Sequence, residues 1–316
     1  MSRFPWPIPF GWFAVAWTHE LERGHVQPYR AFARDLVLWR DADGAAHVQD
    51  AFCPHLGAHL GHGGRVEGCA LVCPFHGWEF DAEGRNTCIP YSERTNGKAR
   101  LRTYPVLERN GLVMAWYHPA DEAPSWDIPS VPEFAADHPE WAAPVTRFFT
   151  IDTAWQEMAE NGVDAAHFRY VHGTAEVPIL ERYEPDGHRS HMRSKQFFVT
   201  PRGNVEGRID TDAEGAGFSV VRFSGIIDTM LLGCATPIER DRCEMRFTFT
   251  VRRFADERAT TSVGEAAINE ISRQLLEDKP IWEHKVFIER PALADTDGPF
   301  LQFRQWASQF YVNDAR

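Results

Sequence analysis

Residues 53–78, CPHLGAHLGHGGRVEGCALVCPFHGW, constrain this chain more than any other stretch. They hold two short loops of one design, Cys53-Pro54-His55 and Cys73-Pro74-Phe75-His76, separated by the 17 residues 56–72. Glycines close both turns. Two thiolates and two imidazoles on paired turns make a ligand set for one metal centre. Such loops need rigid strands beneath them. Residues 10–118 read accordingly as short strands and turns. Apolar runs fall at 12–17, 36–39, 46–51 and 112–117, and Asp/Gly turns at 41–44 and 81–84. Close turn spacing of this kind predicts a small antiparallel β domain.

Cys-x-His, a spacer of this length, then Cys-x-x-His followed by Gly-Trp resembles the Rieske cluster motif. The resemblance implies a 2Fe–2S cluster with Cys53 and Cys73 on one iron, and His55 and His76 on the other. Neutral imidazoles leave such a cluster less negative than an all-cysteine one, which raises its reduction potential. A closed zinc site on the same four residues is the competing reading. Cys69, His59 and His62 break the symmetry of the loops and read as packing or supporting groups.

Composition sets the outer bounds. With 316 residues the chain has room for two domains, and 43% apolar with 25% charged residues is the balance of a globular protein. A net charge of −12 argues against a nucleic-acid partner. Prolines at 5, 7 and 9 interrupt what a signal peptide would need, and no apolar run is long enough to span a bilayer. Six cysteines in this length do not form a disulfide framework, so cytoplasmic residence is expected.

From 119 to 144 six prolines fall where few residues could form a core, so this stretch is expected to connect two domains, 1–118 and 145–316. Residues 153–172, TAWQEMAENGVDAAHFRYVH, read as a helix ending at Gly173. On it Asp164 and His167 share a face, whereas His172 lies about 140° round from His167. For both histidines to reach one ion the helix must loosen or end near His172. Two histidines and a carboxylate with open positions are the ligand set of non-haem Fe(II) oxygenases; capping or core histidines are the plain alternative.

Residues 160–167, ENGVDAAH, resemble the iron-binding helix of Rieske oxygenases. The resemblance implies that His167 and His172 hold a mononuclear Fe(II), that Asp164 links the two metal centres, and that Asn161 has a catalytic place. The third ligand is expected to be a C-terminal carboxylate, with Asp278, Asp295 and Asp297 available. Asp297, in Asp297-Gly298-Pro299 before an apolar-periodic final helix, resembles the family's ligand position and is preferred, with Asp295 next.

The remainder predicts an antiparallel sheet with helices, giving an α+β chain of helix-grip type. Residues 244–254 alternate, with Met245, Phe247, Phe249 and Val251 on one face; 197–200 and 218–223 are further strands, and 264–289 is helical with a bend near Pro280. The apolar, glycine-broken stretch 226–238 could line a pocket, although core strand is the simpler reading for any one residue there.

The resemblance further implies the terminal oxygenase of a two-component system. Gly215-Ala216-Gly217 lacks the rest of a dinucleotide fingerprint, so electrons are expected from a separate NAD(P)H-dependent reductase or ferredoxin. The family forms rings of three, in which His76 of one subunit would meet Asp164 of the next. Residues 86–118, with IPYSERTNGKARLRTYPVLERNGLVMAWYH, and the ending DGPFLQFRQWASQFY look most like the sterol-acting branch, the cholesterol 7-desaturases and 3-ketosteroid 9α-hydroxylases. That implies O2-dependent hydroxylation or desaturation of a sterol or ketosteroid. The alternatives are oxidation or demethylation of another hydrophobic or aromatic molecule, or a pure electron carrier, which would leave two-thirds of the chain without a task.

Overall fold

In the computed structural model, residues 3–200 and 203–312 are described, so the expected domain limits at 1 and 316 lie outside. Contacts divide the chain into two compact units, residues 12–125 and residues 1–11 with 126–316. This differs from the expected division. The N-terminal segment joins the second unit because its aromatic rings find partners there: Phe4 meets Phe287 edge-on at 5.3 Å, and Trp6 stacks on Tyr311 at 5.8 Å. Nor does the proline-rich stretch 119–144 stand apart as a connector, since it is shared between the units at 125/126.

The first unit contains β1 (Gly11–Trp17), β2 (Val26–Ala31), β3 (Arg34–Arg40), β4 (Ala46–Asp50), β5 (Arg65–Glu67), β6 (Ala70–Val72), β7 (Glu79–Phe80), β8 (Asn86–Cys88), β9 (Thr103–Tyr104), β10 (Val106–Arg109) and β11 (Leu112–Tyr117). They form three small sheets, ordered β2-β3-β4-β9, β5-β6-β7-β8 and β1-β11-β10. The apolar runs expected at 12–17, 36–39, 46–51 and 112–117 fall on β1, β3, β4 and β11. Trp39, Leu60, Leu71 and Phe80 are fully buried between the sheets, together with both loop cysteines. Each large apolar side chain removed from water in this way contributes about 2 kcal/mol.

The second unit is built on one seven-stranded antiparallel sheet. Its strands are β12 (Val145–Ile151), β13 (Ile179–Asp186), β14 (Arg189–Thr200), β15 (Gly203–Glu214), β16 (Phe218–Ser224), β17 (Thr229–Glu239) and β18 (Arg242–Val251). The order is β12-β18-β17-β16-β15-β14-β13. Its helices are α1 (Trp155–Ala159), α2 (Ala166–Tyr170), α3 (Glu257–Trp282) and α4 (Phe300–Ser308). The architecture is α+β, with an antiparallel sheet and flanking helices.

Strand alternation puts one face of this sheet on a cavity. Opposed residues form two rows, Tyr183–Met192–Thr211–Val221–Leu231 and Ser190–Ala213–Ser219–Gly233–Phe247. All of these residues line the same hollow. The stretch 226–238 is thus both strand and pocket wall.

Two helices differ from their sequence reading. Residues 153–172 are not one helix: α1 runs into a 3-10 turn at Glu160–Val163, and Asp164 leaves helical geometry at φ −97° and ψ 97° before α2 begins. The long helix α3 starts seven residues earlier than 264, because the Asp256 carboxylate accepts the Arg258 N–H and caps it, and it ends at Trp282 with Pro280 in its last turn.

Candidate metal centres and substrate cavity

The two cysteine loops are conformational copies. In the first, Cys53 N–H donates to the Ala58 carbonyl and Gly57 N–H to the Cys53 carbonyl, both at 2.9 Å. In the second, Cys73 N–H donates to the Trp78 carbonyl at 2.8 Å and Gly77 N–H to the Cys73 carbonyl at 3.0 Å. Gly57 and Gly77 sit at φ +76° and +70°, where a Cβ is strained, so glycine is needed at the same place in each loop. This arrangement faces the four expected ligands toward one another. The rings of His55 and His76 are 4.8 Å apart, and His55 stacks flat on Trp78 at 4.3 Å. Trp78 is itself held by a 2.8 Å bond from its Nε1 to the Tyr91 hydroxyl.

The residues fit a cluster. Cys53 and Cys73 are buried side by side, and burial, with Cys73 adjacent, pushes the Cys53 thiol up to about 11. Such a thiol needs a metal to become a thiolate at neutral pH. The buried Nδ1 of His76 has no hydrogen-bond partner among the described residues. A buried imidazole nitrogen left open in this way fits a place on a metal. The other three residues of the stretch stay outside the group. Cys69 is exposed and donates to Asp43, whereas His59 accepts the Gly61 N–H and packs on His62.

In the second unit, His167, His172 and Asp278 offer ligand atoms that lie within 4.8 Å of one another. The break at Asp164 and the end of α2 at Tyr170 bring the two histidine rings to 5.2 Å, which a continuous helix would prevent. The His167 Nδ1–H donates to the Asp164 backbone carbonyl at 2.6 Å, which leaves Nε2 free. The Asp164 carboxylate does something else: its Oδ1 accepts the N–H groups of Ala166 and His167 and caps α2, while Oδ2 stands 3.9 Å from the His167 ring.

His172 is held from α3. Its Nδ1 donates to Glu277 at 3.0 Å and its Nε2 lies 3.4 Å from Asp278. Glu277 is in turn paired with Arg273, which also grips Glu270. A carboxylate behind a ligating histidine sets its tautomer and its aim. Burial lowers His167. Burial also pulls His172 down, but Asp278 and Glu277 outweigh it and leave that ring raised. Two imidazoles and one carboxylate grouped this way fit a single divalent iron with positions left open.

The preferred carboxylate, Asp297, is not in this group. It is exposed and closes a turn by accepting the Ala294 N–H at 2.8 Å; Asp295 is exposed as well. The acid beside the histidines is Asp278, which is 7% exposed. The Asp297-Gly298-Pro299 motif contributes by packing instead, since a Cβ on Gly298 would lie 1.7 Å from the Val163 carbonyl oxygen, next to Asp164. Nothing in the sequence around Glu277 singles it out. One signal for Asp278 was available: it falls on the buried stripe of α3 with Ile268, Ser272, Leu275 and Trp282, where an unpaired acid is costly. Asn161 lines the cavity, and its Oδ1 accepts the Trp282 Nε1–H at 3.1 Å.

The ligand group forms part of the wall of a cavity of about 310 Å³. Trp155, Met158, Phe218, Leu231, Phe247 and Phe303 make most of the rest apolar. Among the described residues, no helix is long and apolar enough to cross a membrane.

Comparison with known proteins agrees with both units. Residues 11–105 match the Rieske [2Fe-2S] domain, and residues 115–311 match the C-terminal domain of 3-ketosteroid 9α-hydroxylase. Among curated relatives, a 3-ketosteroid-9-alpha-monooxygenase oxygenase component of Rhodococcus rhodochrous is 30% identical, with 96% of this chain and 80% of the relative covered. The cholesterol 7-desaturase of Bombyx mori is also 30% identical, over 98% of this chain and 71% of its own. Among solved structures, dicamba monooxygenase bound to dicamba superposes with a TM-score of 0.77 at 20% identity, covering 97% and 98% of the two chains. The QL mutant of NdmA of Pseudomonas putida CBB5 with caffeine gives 0.74 at 22%, covering 94% and 89%. At such identities the structures speak for the fold alone. The curated relatives and the two domain matches together make this chain a Rieske non-haem iron oxygenase of the 3-ketosteroid 9α-hydroxylase family, the terminal component of a system whose electrons come from a separate reductase.

Proposed function

We propose that the chain oxidises a sterol or ketosteroid in the cavity beside His167, His172 and Asp278. The observation that carries this reading is the pairing of a largely apolar hollow with the two-histidine, one-carboxylate group in its wall. The two metal groups supply one-electron transfer and oxygen activation when bound. The chain's own residues do the rest. The aromatic wall binds a bulky apolar body and excludes water, while Glu277 and the Asp164 carbonyl aim the two histidines. Asp278 would be the third ligand in place of Asp297. The names of the sterol-acting relatives favour a steroid substrate.

The same proposal has Asp164 bridging to His76 of a neighbouring subunit in a ring of three. Leu56 and Phe75, exposed by 66% and 60% beside the two cluster histidines, support it, because such a rim suits cover by another protein surface. It also keeps the chain in a reducing compartment, where Cys53 and Cys73 remain thiols able to hold iron.

The test is to reconstitute the iron-loaded protein with a surrogate reductase and offer sterols, ketosteroids and aromatic compounds under O2. Product from the steroids is the expected outcome. Product from aromatic compounds alone would overturn the substrate class.

A further inference from the structure

The cavity's polar atoms are mostly committed to neighbours. Asn161 accepts from Trp282, Ser219 Oγ donates to the Gly233 carbonyl at 3.2 Å, and Gln274 donates to Glu270 at 3.1 Å. Tyr183 is different. Its hydroxyl oxygen is buried and has no hydrogen bond of ordinary geometry among the described residues, although Ser190 lies beside it. Both residues project from the cavity face of the sheet: Tyr183 opposes Met192, and Ser190 is two residues before Met192 on the same strand. A buried hydroxyl without a partner is costly, so its presence in an otherwise apolar wall calls for a partner.

Its placement is also informative. Tyr183 comes from β13 and packs toward Phe303 of α4, with ring centroids 6.5 Å apart. The histidines and Asp278 come from α2 and α3. A molecule filling the hollow therefore meets the Tyr183 hydroxyl and the metal group on different elements of the wall.

We propose that the Tyr183 hydroxyl, with Ser190 beside it, receives a keto or hydroxyl oxygen on the otherwise apolar substrate, and thereby sets which carbon faces His167, His172 and Asp278. Burial pushes the phenol up to about 12, so it remains a protonated donor at neutral pH. A keto oxygen would accept that proton in a hydrogen bond. A substrate hydroxyl would do the same and could donate in turn to Ser190 Oγ.

The inference rests on the cavity being the steroid site, and the test separates the two claims. Anaerobic equilibrium dialysis of the iron-loaded protein would measure binding of androst-4-ene-3,17-dione and of its oxygen-free counterpart 5α-androstane. In Tyr183→Phe, which keeps the ring against Phe303, the dissociation constant for the dione should rise about tenfold, while that for androstane stays within about twofold. Ser190→Ala should shift the dione alone by about threefold, and supplies the same comparison should phenylalanine at 183 disturb the fold. Equal weakening of both ligands would reduce Tyr183 to a packing residue, and no change for either would remove it from recognition; both outcomes overturn the inference while the steroid site stands. Failure of the unaltered protein to bind either ligand would overturn the site and the inference together.

Discussion

The two candidate metal groups of this protein are built in opposite ways. The cysteine loops take their four candidate ligands from residues 53–76 and hold them with backbone bonds inside each turn, closed by Gly57 and Gly77. The group in the second unit takes His167 and His172 from one broken helical segment and Asp278 from α3, more than 100 residues later. The Asp164 carbonyl and the break in that segment orient His167 locally, but nothing within the segment carries Asp278 to the histidines. Docking of α3 on the sheet does so, with Glu277 behind His172 and Gly298 pressed on the turn before Asp164. A site made of turns resists distant change, whereas a site made by docking is exposed to it.

Replacing Asp278 with Ala should break the second group and spare the first. Iron per chain falls from about three atoms to about two, steroid turnover is lost, and the visible absorption of the cluster stays. Asp297→Ala should leave all three readings unchanged. Loss of iron in Asp297→Ala, with Asp278→Ala intact, would restore the assignment expected from the motif.

Asp164→Asn comes next in size. The amide oxygen can still accept from Ala166 and His167 and cap α2, so both metals should stay bound. The charge offered to a neighbouring His76 is gone, and turnover with a reductase should fall about 100-fold. Unchanged turnover would show that Asp164 only caps. Glu277→Gln is smaller again. An amide can keep one bond to His172 Nδ1 but loses the charge paired with Arg273, so a chelator should remove the second iron at about tenfold lower concentration while the cluster is untouched.

The contrast also explains what could be read from the sequence. The cluster site was legible because proline, glycine and ligand positions repeat at a fixed offset, and short-range turn chemistry converts spacing directly into geometry. The fold class was legible from apolar alternation such as that of β18. His167 and His172 were legible with the condition that their helix breaks, and Asp164 supplies the break. The sequence favours Asp297 over Asp278, because a motif at the head of the last helix carries a strong local pattern and a single acid on α3 carries a weaker one. The one pointer in the sequence is the place of Asp278 on the buried stripe of α3, and the docking of that helix brings it to the histidines. The attachment of residues 1–11 to the second unit was illegible for the same reason: aromatic rings such as Trp6 and Tyr311 meet across about 300 residues of sequence.

The finest comparison sets two glycine substitutions against each other. At Gly57 an added Cβ meets nothing within 4 Å, so Gly57→Ala costs only the left-handed backbone, about 1 kcal/mol. At Gly298 the backbone is not left-handed, but the Cβ would lie 1.7 Å from the Val163 carbonyl oxygen, and that atom belongs to main chain that cannot rotate away. Gly298→Ala must therefore displace the 3-10 turn or α4, at about 2 kcal/mol, and the displacement falls on Asp164 and the start of α2. Chelator release of the second iron should accelerate in Gly298→Ala and not in Gly57→Ala, while thermal bleaching of the cluster should come earlier in Gly57→Ala and not in Gly298→Ala. Both variants affecting both metals alike would mean that the two groups are mechanically one, and the division between a local and a docked site would fall.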